Sequence, residues 1–242
     1  MISNKYYLFN VSLPIRKNIM CKLLSRLTGA VLSLYGANAM AADDGSYASW
    51  YVGADLNLSM AGDNKFTGSS SGTMSYKNAV SLGDLKIGYR PQALYGESGD
   101  FRFEAELASR TLPLKSVSPS GNGNPRGDLN VGALMANAYY DLRTNSAFTP
   151  YVGVGLGVAG ASFSKDPNFL GINDKKATSA TMAGQFSLGV SYTPAFLPST
   201  DWSLGYNYFA AGGSEFKSAN NTRVKSDAVS VNSIQLGVKY HF

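Results

Sequence analysis

From Trp50 onward the chain is a succession of short segments in which bulky apolar residues alternate with small or polar ones. Each segment is about ten residues long, and such a period of two describes a strand with one apolar face and one polar face. "WYVGADLNLSM" places Trp50, Val52, Ala54, Leu56, Leu58 and Met60 on one face and Gly53, Asp55, Asn57 and Ser59 on the other. "DLKIGYR" (84–90), "FRFEAELASR" (101–110), "LMANAYYDL" (134–142) and "YVGVGLGVAG" (151–160) repeat the pattern. So do "MAGQFSLGVSY" (182–192), "WSLGYNYF" (202–209) and the ending "VNSIQLGVKYHF" (231–242), making eight. Val80 and Leu82 are out of phase with Leu85, which predicts a bulge or a later strand start there.

Alternation alone also fits a soluble sandwich, so what the faces carry decides. One face holds large aliphatic and aromatic groups, with Trp and Tyr at the segment ends. The other crowds glycine with charges of both signs. Small residues suit the interior of a narrow barrel, large apolar ones its lipid side, and end-placed aromatics its interfacial girdles. Ten residues is the length a tilted strand needs to cross hydrocarbon. In lipid no backbone group can go unpaired, so the strands must close on themselves. The segments predict an all-β fold, an eight-stranded antiparallel up-and-down transmembrane barrel. Connections 61–78, 112–128, 163–178 and 211–227 are long and polar, whereas 91–100, 143–149 and 193–201 are shorter and bear prolines in or beside them. Long loops outside and short turns inside place both ends of the barrel in the periplasm.

The first 41 residues read as a secretory leader, with a single barrel domain over 42–242. Lys22 and Arg26 precede the apolar run "LTGAVLSLYG", and cleavage after Ala39 or Ala41 would suit the small residues there. Met20 is an alternative start, and a buried N-terminal helix is the competing reading. The net charge of +5 belongs to this segment: five of the 21 basic residues precede residue 42, leaving 16 against 16 acidic. That removes the basic surface a nucleic acid would need. Cys21 is the single cysteine and lies in the leader, so the barrel carries no disulfide framework.

With the strands in place, the chain resembles the small outer-membrane β-barrel superfamily, the opacity-type and OmpA-like porins and surface antigens of Gram-negative bacteria. "WYVGADL" (50–56), "FRFEAEL" (101–107), "MANAYYDL" (135–142), "TPYVGVGLGV" (149–158), "GYNYF" (205–209) and "LGVKYHF" (236–242) carry the likeness. The resemblance implies residence in outer-membrane lipid and a terminal signal, Tyr240 and Phe242, read by the barrel-assembly machinery. It also implies loops that contact host surface molecules.

Inward-facing Asp55, Asp84, Lys86, Arg90, Arg102, Glu104, Glu106, Arg110, Asp141 and Lys239 mix both signs. Glu104 and Glu106 could serve acid–base catalysis. An ion-pair network filling a narrow lumen is the favoured reading, because buried charges need partners and eight strands leave little room for a substrate. "GLGVAG" (Gly155–Gly160) fits a dinucleotide fingerprint by spacing, but glycine–apolar alternation continues through it, so it reads as strand. Arg126, Gly127 and Asp128 spell RGD in a long external connection, where an integrin-type contact would sit, though a motif this short arises often by chance. "FSKDPNFLGINDKK", with Phe163, Phe169, Leu170 and Ile172, reads as a contact patch or a cover over the barrel mouth. His241, the sole histidine, sits at the periplasmic rim, away from where lipid-modifying barrels carry a His–Ser pair. No cofactor or metal is expected. The reading is a non-enzymatic surface protein, with a narrow porin as the alternative and a lipid-modifying enzyme third.

Overall fold

The computed structural model describes residues 49–67, 71–94, 96–118, 127–164, 180–217 and 223–242. The segment read as a leader, Arg126 and the stretch 165–179 lie outside the described residues. Twelve strands follow in order: β1 (Ser49–Ala61), β2 (Asn64–Thr67), β3 (Gly72–Tyr76), β4 (Ala79–Arg90), β5 (Gly99–Ser118) and β6 (Asp128–Leu142). The second half comprises β7 (Phe148–Phe163), β8 (Thr181–Tyr192), β9 (Thr200–Ala211), β10 (Ser214–Lys217), β11 (Arg223–Ser226) and β12 (Val229–His241).

Eight of them, β1, β4, β5, β6, β7, β8, β9 and β12, form an antiparallel ring in which each pairs with the next. The ring closes where β12 pairs with β1, from Tyr51↔His241 through to Ala61↔Val231. At one end the connections are short turns, at 91–98, 143–147 and 193–199. The phase break near residue 82 is a bulge: Asp55 faces Asp84 but Leu56 faces Leu82, leaving Gly83 as the extra residue. The bulge keeps both Val80 (64% exposed) and Leu85 (54%) on the outer surface while turning Asp84 inward.

The outer surface is a belt of unpaired apolar groups, with Leu156 at 69% and Met182 at 71% exposure. Water would not tolerate so continuous a patch, and lipid does. Towards the short-turn end, aromatic pairs ring the outside: Trp50–Tyr89, Phe101–Tyr140 and Phe148–Tyr192, with centroids 4.8, 5.0 and 5.0 Å apart.

The far end departs from the sequence reading, which treats 61–78, 112–128 and 211–227 as polar loops. Hairpins β2–β3 and β10–β11 stand there instead, and β11 pairs with β2 through Lys225↔Thr67 and Ser226↔Phe66. β3 pairs in turn with the outer part of β5. At about 3.3 Å per residue, the 20 residues of β5 extend well beyond the hydrocarbon layer. These segments escaped recognition because Gly and Ser hide a short alternation in which Phe66, Met74 and Tyr76 point inward. Tyr76 donates to Asn64 Oδ1 at 2.5 Å, and burial pushes its hydroxyl well above the usual tyrosine range.

A second departure concerns the interior. Its buried charges lie only towards the short turns; towards the extended end the same inward faces become mainly apolar. On β6, Val131, Ala133 and Met135 precede Asn137, Tyr139 and Asp141, and on β12 Val229 and Val231 precede Ser233 and Gln235. These join Phe66, Met74, Leu112, Leu129, Phe163 and Phe209 in one buried cluster. Phe163 therefore packs inside rather than on an exposed patch.

Inward glycines make room for large neighbours. A Cβ at Gly153 would stand 2.2 Å from the Tyr139 ring. Replacing Gly153 by Val should overpack this contact and cost about 1–3 kcal/mol, read as a lower urea midpoint for unfolding from lipid vesicles.

Candidate functional site

The polar half of the barrel interior is the candidate site. Its charges come from alternate positions of β1, β4, β5, β6 and β12, so the strand period alone aims them inward. Which charges meet is set by stagger, because partners lie diagonally across neighbouring strands. Arg102 stands opposite Tyr139 in register, yet its Nε donates to Asp141 Oδ1 at 2.8 Å. Its Nη1 contacts Glu104 and donates to the Tyr51 hydroxyl at 3.2 Å, while the guanidinium lies 3.9 Å from the Tyr139 ring centroid. Tyr51 in turn donates to Glu104 Oε1 at 2.6 Å. Arg90 Nη2 reaches Asp141 Oδ2 at 3.1 Å, so one carboxylate serves two guanidiniums.

Deeper in the ring, Lys86 sits 2.5 Å from Asp55 and 3.8 Å from Glu104. Arg110 lies 3.5 Å from Asp84, donates to Asn207 Oδ1 at 3.1 Å and stacks over Phe209 at 4.3 Å. Asn57 and Gln235 donate to Asp84 Oδ2 at 2.9 and 2.8 Å. Arg110 and Phe209 thus mark the boundary where charge gives way to the apolar cluster.

Eight of the ten inward charges meet an opposite charge: Asp55, Asp84, Lys86, Arg90, Arg102, Glu104, Arg110 and Asp141. Glu106 and Lys239 form no direct ion pair among the described residues. Glu106 stands opposite Lys86 in register, but Lys86 reaches diagonally to Asp55 and Glu104. The Glu106 carboxylate accepts instead from Asn137 at 2.6 Å and Gln185 at 2.9 Å. Lys239 donates to the Ser191 hydroxyl at 3.3 Å. Amide and aromatic residues are therefore as much a part of the filling as the charges. Tyr51, Gln185, Asn207 and Gln235 went unassigned, although each shares strand parity with an inward charge or glycine.

Gly155 to Gly160 lie within β7, which continues as strand to Phe163, so no helix begins at these glycines and the phosphate-binding geometry of the fingerprint does not arise. Of the RGD residues, Gly127 accepts from Leu114 N–H at 3.1 Å and Asp128 opens β6, its carboxylate accepting from Ser164 Oγ at 3.3 Å. Tyr240 faces Val52 across the seam, and the exposed Phe242 donates its N–H to Trp50 C=O at 3.0 Å. His241 Nε2 lies 2.8 Å from Asp201 Oδ2, and its ring lies 5.2 Å from that of Tyr51 on β1.

The family model for the outer membrane protein beta-barrel domain matches residues 29–242. Outer membrane protein PagN of Salmonella typhimurium (strain LT2) is 28% identical over 128 residues, 49% of this chain and 53% of PagN. The chain thus spans about half the length of that curated relative. Among solved structures, outer membrane protein AlkL in lipid bilayers aligns with a TM-score of 0.50 at 14% identity, covering 83% of this chain and 94% of AlkL. Neisserial surface protein A aligns at 0.49 with 21% identity, covering 81% and 100%.

Removing one member of a buried ion pair strands the other. Arg102→Ala should cost about 3–5 kcal/mol, seen as a lower urea midpoint in vesicles. Arg143→Ala, which breaks a half-exposed pair with Asp100 at 2.7 Å, should cost less than about 1 kcal/mol.

Proposed function

Because the chain belongs to the family of outer membrane protein beta-barrel domains, we propose that it is a non-enzymatic surface protein whose barrel anchors an exposed platform. It resides in the Gram-negative outer membrane, embedded in lipid through its apolar belt. The extended end faces outward and meets host or environmental surfaces, while the short turns face the periplasm. Tyr240 and Phe242 act as the terminal signal for the assembly machinery, and residues 1–41 as the leader that delivers the chain to it.

One observation carries the reading: the ring is filled along its length, by ion pairs and amides in one half and by the apolar cluster in the other. An apolar stretch opposes passage of ions and polar solutes, which speaks against the porin alternative. Glu104 is engaged by Lys86, Arg102 and Tyr51, and one oxygen of Glu106 by two amides, which supports a structural part for both. The structured additions to the barrel stand at the outer end, where hairpins β2–β3 and β10–β11 lengthen the wall.

Cysteines introduced at Ser69, Asn122, Asp174 and Asn220 should react with an impermeant maleimide on intact cells, and one at Ser146 should not. The reverse pattern would invert the assigned sidedness. In a planar bilayer the protein should give no steady unitary conductance, whereas reproducible steps would establish a narrow porin.

A further inference from the structure

The short-turn mouth of the barrel contains a recess of about 300 Å³, and the charges around it are unequally satisfied. Three carboxylates line it, and each is already engaged. Asp100 pairs with Arg143, Asp141 takes both Arg90 and Arg102, and Asp201 is held by Thr193 at 2.7 Å and His241 at 2.8 Å. Arg90 Nε also lines this end, buried and without a hydrogen-bond partner.

Immediately behind the wall lies Lys239, 4% exposed; among the described residues no carboxylate pairs with it directly, and Glu104 and Asp141 act on it only from beyond ion-pair distance. Its ammonium donates to Ser191 Oγ and lies 5.5 Å from the Tyr151 ring centroid. A buried cation without a direct ion-pair partner is costly, and a ring face compensates little of that cost. Ser191 lines the recess. Because its oxygen accepts from Lys239, its own proton is free to donate elsewhere, and an ammonium on the oxygen makes that O–H a stronger donor. Thr149 and Thr193 add hydroxyls on the same lining.

We propose that this recess binds a small oxyanion, a carboxylate or phosphate group, seated on the Ser191 hydroxyl with Lys239 behind it as counter-charge. Such a group supplies the close counter-charge that Lys239 lacks among the described residues, and it enters from the side of the short turns. The site uses none of the residues assigned to surface contact, so it stands or falls apart from that role.

The test is calorimetric titration of the full barrel, folded in a non-ionic detergent, with inorganic phosphate and separately with acetate. Saturable binding of either is expected, weakened about tenfold or more by Ser191→Ala and by Lys239→Met. Among the described residues Lys239 forms no direct ion pair, so its loss breaks none, and heat-modified gel mobility checks that each variant is folded. Ser191→Ala keeps the test valid should Lys239→Met fail to fold. Lys65→Met, an exposed site at the far end, should bind as the parent does. A third arm adds phosphatidylglycerol to the micelles: competition with phosphate identifies a lipid headgroup as the source, and its absence identifies a soluble anion. No binding of either anion overturns the proposal. So does binding undiminished by Ser191→Ala, or equal loss in Lys65→Met.

Discussion

A peptide group in hydrocarbon has no water to turn to, and the whole molecule answers that demand. Every strand that crosses must find a neighbour on each side, so β1 must meet β12. Once that seam is sealed, register is fixed all the way round, and register decides which side chains share the narrow interior. The end of the chain is part of the seal. His241 packs against Tyr51 and reaches Asp201, while the Phe242 N–H is held by the Trp50 carbonyl.

A closed ring of eight strands leaves space for side chains and little else. In the polar half that space holds charges too buried to stay single, and they are threaded together by tyrosine, asparagine and glutamine. The glycines opposite are the counterpart of this bulk: Gly153 yields to Tyr139, and Gly88 yields to the Tyr51 ring. Beyond Arg110 and Phe209 the interior changes character and becomes an ordinary apolar core. The barrel therefore has two fillings, one made of paired charge and one of oil.

The ring was legible in the sequence because a period of two survives any choice of partner. Leu236 and Val238 face out and Lys239 faces in whatever the neighbouring strand contains, and even the slip at Gly83 announced itself as a phase break. Partner choice was not legible. Nothing in the order of residues says that Lys86 will pass over Glu106, its register neighbour, and settle on Asp55 and Glu104. Nor does composition distinguish a Gly- and Ser-rich loop from a hairpin of four-residue strands, as at β2–β3 and β10–β11. Inward Val131 and Met135 were hidden for another reason: they share parity with Asn137 and Asp141, so one face carries two chemistries in turn.

The contact between β2 and β11 ties residues about 160 positions apart in the chain, with Asn64 donating to Ser226 Oγ at 2.7 Å and the Asp227 N–H to the Lys65 carbonyl at 2.8 Å. Any antibody that covers this junction reads an epitope assembled from two distant stretches. Linear peptides copied from either hairpin would not reproduce it, and an insertion in one hairpin would have to be accommodated by the other, so sequence change at the two hairpins is coupled.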